Sequence, residues 1–331
     1  MDNRIKAIND YMAHFSQADI DRVYDFTIGL AQLNTYPRDR PSCPLCSGFQ
    51  VIKYGFKGGK QRFFCKECHQ TFMHTTNTVM SHSRYDRATW HAFIKDTLAG
   101  CSLDESAEKL GFSHQTAFTM RHKVLTALLQ SMEKGSEELS GICELDETYV
   151  LDCYKGAKLP ESVSREPRKH GAKAMKKGLS NEQVCICAGV QRQGNAIATT
   201  VNRAHPSKEE LQKAFSSHIA SGSLVLVDGL KGYDSLETVV DCSVKNIHTE
   251  ENHSMYNLNT INNFHSFIKE RYNRYRGVAT KYINRYNVLF STVYRNLSES
   301  IDYVFATLCN TGSSQHWNAG KSLDSKALAA I

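Results

Sequence analysis

Four cysteines constrain this chain more than any other feature of its sequence. Cys43 and Cys46 form one C-x2-C pair, Cys65 and Cys68 form a second, and 18 residues separate the pairs. Four thiolates at this spacing satisfy tetrahedral Zn²⁺. The alternative is two unrelated pairs of buried or redox-active cysteines, but a segment this short cannot build a core without a metal or cross-link. The spacing therefore predicts a structural zinc ribbon over residues 37–75.

Basic side chains are concentrated around the same four cysteines. A basic surface of this kind suits contact with the phosphates of DNA. A purely structural zinc module without DNA contact is the alternative. The residues concerned are Lys53, Lys57, Lys60, Arg62 and Lys66.

Composition excludes several classes of protein. The 331 residues are 41% hydrophobic and 22% charged, with a net charge of +6, which is an ordinary globular balance. Because no apolar run is long enough to cross a membrane and the first residues do not resemble a secretory signal, we expect a cytoplasmic, nucleoid-associated protein without a disulfide framework. The remaining seven cysteines then serve as small buried hydrophobic residues: Cys101, Cys143, Cys153, Cys185, Cys187, Cys242 and Cys309.

Residues 84–133 have a pattern typical of helix-turn-helix motifs. Small and apolar side chains recur at helical spacing, Gly111 permits a turn, and Ser102 and Ser113 are suited to begin helices. An ordinary helical hairpin fits the same pattern. In the helix-turn-helix interpretation the second helix reads DNA, and we predict contacts from Gln115, Thr119, Arg121 and Lys123. Residues 1–36 are expected to form polar-faced helices and residues 311–331 an uninformative tail.

From residue 140 the chain alternates short β-rich runs with helical segments. The predicted order is three strands, a helix, a strand, a helix, a strand and a helix. Consecutive strands favour an antiparallel meander, whereas strands separated by helices favour parallel pairing. Residues 140–310 are therefore predicted to form a mixed α/β sheet flanked by helices. A hairpin turn is expected at 193–195 and a capping box at Ser207 and Glu210.

Two aspartates stand in or directly after apolar strands of this predicted sheet. Asp146 lies in ICELDETYV, and Asp228 follows SLVLV. Carboxylates from neighbouring strands repel each other unless a cation lies between them, and Mg²⁺ prefers such oxygen ligands. Asp228 could instead be a helix N-cap. On a following helix Asn262 is a candidate third ligand, and Lys269, seven positions later on the same face, is a candidate phosphate contact.

Basic and tyrosine residues alternate after Lys269. Cations interleaved with aromatic rings suit a track for DNA phosphates with stacking of bases or sugars. The alternative is a solvated helix whose tyrosines pack inward. The predicted DNA contacts here are Lys269, Arg271, Arg274 and Arg276, and a basic loop over 155–178 is expected to face DNA as well.

These stretches together resemble bacterial insertion-sequence transposases of the DDE type that carry an N-terminal zinc ribbon. The similarity covers about residues 40–295, through CPLC, FFCKECHQTF, ELDETYV, LVDGLKGY and LNTINNFHSFIK. It implies a ribonuclease-H-like catalytic domain. By position, it implies that Asp146, Asp228 and Asn262 hold Mg²⁺ or Mn²⁺ and that Lys269 assists them. His265 stands where this family is expected to carry tryptophan.

The resemblance also implies a function. A transposase of this kind binds the terminal inverted repeats of its element, cleaves the DNA strands and transfers them to a target, as at least a dimer of this chain on double-stranded DNA. Because Asn262 replaces an acidic residue, a catalytically inactive DNA-binding regulator is one alternative. A ribonuclease-H-like nuclease that cleaves DNA but does not join it is another.

Overall fold

The computed structural model describes residues 42–134, 138–156, 182–247 and 256–295, apart from positions 193, 204, 230 and 276. A few isolated positions are described besides. The segment 1–36, the tail 311–331 and most of the loop 155–178 lie outside the described residues. The chain divides into two compact units, one that includes residues up to Lys95 and one that begins at Asp96. None of the helices in the described ranges combines the length and the apolar character that crossing a membrane requires.

The first unit contains a three-stranded antiparallel sheet. Its strands are β1 (Val51–Lys57), β2 (Lys60–Cys65) and β3 (Thr71–Met73), with β2 in the centre. Glycines at positions 58 and 59 adopt φ values of 55° and 73°, which a tight turn between β1 and β2 requires. The rings of Phe63 and Phe72 stack with centroids 5.5 Å apart beside Cys43 and Cys65. This core is small, as expected of a metal-dependent ribbon.

Three helices follow, and the last two form the predicted helix pair. They are α1 (Arg87–Ala99), α2 (Leu103–Leu110) and α3 (His114–Lys134). Ser102 caps α2 in a complete capping box with Glu105, and Gly111 ends it with φ of 70°. The hydroxyl of Ser113 accepts a hydrogen bond of 3.2 Å from the Thr116 amide at the start of α3. Both predicted caps are confirmed.

The second unit is built on a five-stranded mixed sheet. Its strands are β4 (Ile142–Leu151), β5 (Gln183–Gln191), β6 (Ala196–Arg203), β7 (Ser223–Val227) and β8 (Cys242–Asn246), in the spatial order β6-β5-β4-β7-β8. The first three pair antiparallel, whereas β7 pairs parallel to β4 and β8 parallel to β7. The predicted order of elements and both predicted modes of pairing are confirmed.

Helices cover both faces of this sheet. On one face α4 (Lys208–Phe215) and a 3₁₀ helix (Lys231–Thr238) pack over an apolar core that includes Leu145, Phe215 and Tyr233. The other helices are α5 (Asn259–Arg274), a short 3₁₀ turn (Thr280–Tyr282) and α6 (Ile283–Arg295). They contact β4, β5 and β6. The predicted mixed α/β sheet flanked by helices is therefore confirmed.

The helix pair belongs to the same compact unit as the sheet. Residues from Asp96 onward form one unit, and α3 packs against α6. The predicted boundary between a DNA-binding region ending at 133 and a catalytic domain beginning at 140 therefore does not separate two compact bodies. The physical reason is the buried contact between α3 and α6, which the pattern of either segment alone does not reveal.

Candidate metal centres and nucleic-acid contacts

The four predicted cysteines converge at one end of the ribbon. The sulfurs of Cys43, Cys46, Cys65 and Cys68 all lie within 4.8 Å of one another. The Cys43 and Cys68 sulfurs are 3.7 Å apart, and those of Cys46 and Cys65 are 3.6 Å apart. Zn–S bonds of about 2.3 Å in a tetrahedron place the sulfurs roughly 3.8 Å apart. The geometry therefore fits a zinc ion bound by four cysteines.

Backbone amides in the two knuckles point at these sulfurs. The Leu45 amide donates to the Cys43 sulfur at 3.4 Å. The amides of Cys68 and Glu67 lower the pKa of the Cys65 thiol. Amide donors favour the thiolate, which is the form of cysteine that binds zinc. These backbone amides therefore favour the zinc-binding thiolate forms of Cys43 and Cys65.

Asp146 and Asp228 lie on adjacent parallel strands. In the pairing of β4 with β7, Cys143 is level with Val225 and Glu144 is level with Leu226. Continuing this register by two residues brings Asp146 level with Asp228, so both side chains project from the same face of the sheet. The following 3₁₀ helix begins only at Lys231, so Asp228 is not in its N-cap position. Sheet topology thus brings the two predicted acids together.

Burial and the neighbouring charge of Asp228 both disfavour the ionised form of Asp146. Together they raise its pKa to about 7, and Lys269 opposes the shift. A divalent cation between the two carboxylates would reverse this effect. Among the described residues, the four cysteines are the group of three or more Cys, His, Asp or Glu side chains that lie close enough together to hold a metal ion. The acidic site therefore offers two carboxylates and needs a neutral third ligand.

Helix α5 carries the other predicted site residues. Ile261, Phe264 and Ile268 are fully buried, as predicted, whereas Asn262 and Lys269 are exposed. Asn262 lies one helical turn before His265, whose Nδ1 is 3.6 Å from the Asp146 Oδ2.

His265 itself had no predicted role in the metal site. It is buried, and burial together with the charge of Lys269 lowers its pKa to about 4, so the ring is neutral at pH 7. Its position three residues after Asn262 is the signal in the sequence that could have identified it.

Two more carboxylates of β4, Glu147 and Glu144, have no predicted role in the sequence analysis. Glu147 points to the opposite face from Asp146 and accepts a hydrogen bond of 2.5 Å from the Tyr233 hydroxyl. Glu144 is fully buried on the same face as Asp146. It accepts hydrogen bonds from Arg192 and from the first turn of α5. The alternation of β4 could have indicated Glu144, because it stands two residues before Asp146 in an otherwise apolar run.

The predicted DNA contacts on α3 divide into two groups. Gln115 is exposed and Thr119 is half-buried, so their side chains can reach a ligand. Lys123 is half-buried, and burial lowers its pKa.

The prediction for Arg121 is wrong, because this side chain is fully buried. Its Nη2 donates to the Cys101 carbonyl at 2.8 Å, and its guanidinium lies over the Tyr275 ring at 5.5 Å from the centroid. Arg121 therefore holds α3 inside the second unit.

The basic residues after Lys269 also fall into two groups. Arg274 is exposed, whereas Arg271 donates to the Ala99 carbonyl at 3.1 Å and lies over the Phe267 ring. Arg276 lies outside the described residues. Tyr286 is buried, Tyr272 and Tyr275 are half-buried, and the Tyr272 hydroxyl donates to Asn287 at 2.7 Å. The inward-packing alternative is thus correct for these tyrosines.

Comparison with known proteins finds a family model that matches part of the second unit. Residues 138–295, a little under half of the chain, match the model of the ISXO2-like transposase domain. An uncharacterized protein in transposable element ISH50 of Halobacterium salinarum is 23% identical over 195 residues. The match covers 59% of this chain and 64% of that relative, so this chain spans somewhat less than two thirds of the relative's length.

Among solved structures, the pre-cleavage Mos1 transpososome aligns with a TM-score of 0.25 and 11% identity over 75% of this chain and 79% of that chain. The Mos1 strand transfer complex aligns with a TM-score of 0.29 and 11% identity over 74% and 78%. These scores are too low to establish a common structure, so the fold class rests on the sheet itself. Residues 138–295 therefore match the model of the ISXO2-like transposase domain, and Asp146 and Asp228 both lie within the matched residues.

Proposed function

We propose that this protein is the transposase of a DNA insertion sequence, which cleaves DNA at the ends of its element and joins those ends to a target. One observation carries the proposal. Asp146 and Asp228 stand level on adjacent parallel strands, within a domain of a transposase family. Asp146 is destabilised as an anion there by burial and by Asp228. A divalent cation bound between the two carboxylates would offset this cost.

In this proposal Asp146, Asp228 and Asn262 hold Mg²⁺ or Mn²⁺. The bound ions would activate a nucleophile and stabilise the leaving oxygen of a phosphodiester. Two carboxylates and one neutral amide give the protein ligands a charge of −2, one less than three carboxylates would. Lys269, exposed two helical turns after Asn262, contacts a DNA phosphate beside the carboxylates. His265 stays neutral and buried against Asp146.

The proposed DNA contacts follow side-chain exposure. Gln115 and Thr119 on α3, with Arg274 after Lys269 on α5, are accessible to DNA. The zinc ribbon presents Tyr54 and Phe56, 50% and 71% exposed, on a strand that also carries Lys53 and Lys57. Exposed aromatic rings among lysines suit contact with DNA. The partner is therefore double-stranded DNA, and bringing two element ends together requires at least two copies of the chain.

The decisive experiment uses the full chain and DNA that carries the ends of its own element. We expect strand cleavage and joining in Mg²⁺ or Mn²⁺, and neither reaction in Asp146→Ala or Asp228→Ala. Glu209→Ala is the matched control, because Glu209 is an exposed carboxylate on α4, away from the paired aspartates. Cleavage that survives both aspartate changes would contradict the assignment.

The two alternatives give different results in the same assay. Specific binding to the element ends without metal-dependent cleavage would identify a DNA-binding regulator. Cleavage without a joined product would identify a nuclease on the same fold. A joined product that depends on Asp146 and Asp228 excludes both.

A further inference from the structure

Glu144 is a buried charge that the proposed chemistry does not use. Its side chain is fully inaccessible to solvent in the centre of the sheet. Burying a carboxylate costs several kcal/mol unless hydrogen bonds and an opposite charge replace the lost water. A buried ion pair of this kind rarely adds stability beyond what an apolar residue would give. Its partners therefore indicate what Glu144 contributes.

Those partners come from two other segments. Arg192, directly after β5, donates from Nε to Oε1 of Glu144 at 2.7 Å. The Thr260 hydroxyl donates to the same oxygen at 3.0 Å, and the Ile261 amide donates to Oε2 at 2.9 Å. Arg192 also donates from Nη2 to the Asn257 carbonyl at 2.9 Å, just before α5. One carboxylate thus joins β4, the end of β5 and the first turn of α5.

The first turn of α5 receives one acceptor from its own segment, because Asn257 Oδ1 accepts a hydrogen bond of 3.1 Å from the Asn259 amide. Its N-cap residue is Leu258, which has no side chain able to accept a hydrogen bond. The amides of a first helical turn require acceptors, and a negative charge there is favourable. Glu144 supplies both to the Ile261 amide from the neighbouring sheet. The position of the start of α5 is therefore set by β4 as well as by Asn257.

The geometry connects this contact to the proposed metal site. On β4, Glu144 and Asp146 are two residues apart and face the same side, a separation of roughly 6.6 Å. On α5, Asn262 directly follows Ile261, the residue whose amide Glu144 binds. The hydrogen bond between Glu144 and the Ile261 amide thus fixes the position of Asn262 relative to β4, the strand that carries Asp146.

We propose that Glu144, held by Arg192, is a positioning residue that caps α5 from the sheet and sets Asn262 in register with Asp146 and Asp228. This inference rests on the proposed function, because it assigns Asn262 to the metal site. Glu144 itself binds neither metal nor DNA.

The test uses the full chain with Glu144→Gln, which keeps the size of the side chain and removes its charge. The first readout is amide hydrogen exchange without divalent metal. We expect exchange in residues 256–268 to accelerate at least tenfold. The second readout is Mn²⁺ affinity by calorimetry, which we expect to fall about 10- to 100-fold, as is usual for residues that orient metal ligands.

Asp152→Asn is the matched control. Asp152 is also buried and forms an ion pair of 2.9 Å with an arginine, Arg203, but it follows the end of β4 and Arg203 lies on β6. It should lose stability without faster exchange in α5 and without weaker Mn²⁺ binding. Thr260→Val removes one of the hydrogen bonds to Glu144 at nearly constant volume. It should shift both readouts in the same direction by a smaller factor, and it decides the matter if Glu144→Gln does not fold.

The outcomes separate this inference from the proposed function. If Asp228→Asn leaves Mn²⁺ binding unchanged, the metal site itself is wrong. If Asp228→Asn abolishes binding while Glu144→Gln and Thr260→Val match wild type in both readouts, the metal site stands and the positioning role is refuted. Equal effects from Asp152→Asn and Glu144→Gln would also refute it, because they would indicate general destabilisation.

Discussion

His122 offers a sharp test of how α3 is held against α6. It is 2% exposed, and its Nδ1 lies 3.3 Å from the Nη1 of Arg285. Burial, together with the positive charges of Arg285, Arg121 and Lys281, lowers the pKa of His122 from 6.5 to about 3. The rings of Phe118, Tyr282 and Tyr286 complete its surroundings. The imidazole is therefore neutral in the folded protein throughout the range from pH 8 to pH 4.

The size of the effect follows from linkage. In the unfolded chain His122 has a pKa of about 6.5 and takes up a proton as the pH falls, which the folded protein resists. A depressed folded pKa contributes stability above pH 6.5 that is progressively lost towards pH 3. Between pH 7.5 and pH 5 the loss from this residue is about 2 kcal/mol of unfolding free energy.

The assay compares wild type with His122→Gln, whose side-chain carbonyl can still accept a hydrogen bond from Arg285. Both proteins are unfolded in urea at pH 7.5 and pH 5 with saturating zinc, followed by far-ultraviolet circular dichroism. Contributions from other groups cancel in the difference. Wild type should lose about 2 kcal/mol more than the variant. Identical pH dependence in the two proteins would show that His122 is not buried as a neutral ring.

Three further predictions concern other parts of the molecule. Cys65→Ser should abolish stoichiometric zinc, measured by elemental analysis, and unfold the ribbon, because its core is too small to persist without the metal; retained zinc would contradict the four-cysteine site. Arg121→Ala should lower the free energy of unfolding by about 2–4 kcal/mol, through the lost contacts with the Cys101 carbonyl and the Tyr275 ring, without changing the DNA affinity of the folded fraction. Lys269→Ala should weaken DNA binding and reduce the slope of log affinity against log salt by about 1, whereas Lys213→Ala, an exposed lysine on α4, should change neither.

Much of the fold could be predicted because its signals are local. Ser102 and Ser207 identified helix starts through capping boxes, which depend on residues three positions apart. The order of strands and helices then determined which strands pair antiparallel and which pair parallel. Asp146 and Asp228 were recognisable because a carboxylate in or after an apolar strand is costly without a partner.

The features of the fold and the site that could not be predicted depend on contacts between segments far apart in the sequence. The sequence predicts a DNA contact for Arg121 because basic side chains on a recognition helix can reach phosphates or base edges. Its burial against Tyr275 depends on the packing of elements more than 150 residues apart in the chain. Glu144 and His265 were overlooked for a related reason. Their roles appear only when α5 is placed across β4, and no local pattern gives that placement.

The packing of α3 on α6 has a consequence for where a DNA strand would break. Gln115 lies at the start of α3, and the paired aspartates lie on the sheet of the same compact unit. For the DNA contact proposed above, the distance from the contacted bases to the cleaved phosphodiester is then fixed by the packing of one compact unit. Adding glycines between α3 and β4 should leave the cleavage position at the same number of base pairs from those bases. If α3 were instead connected to the sheet only by a flexible linker, the same insertion would make the cleavage position variable.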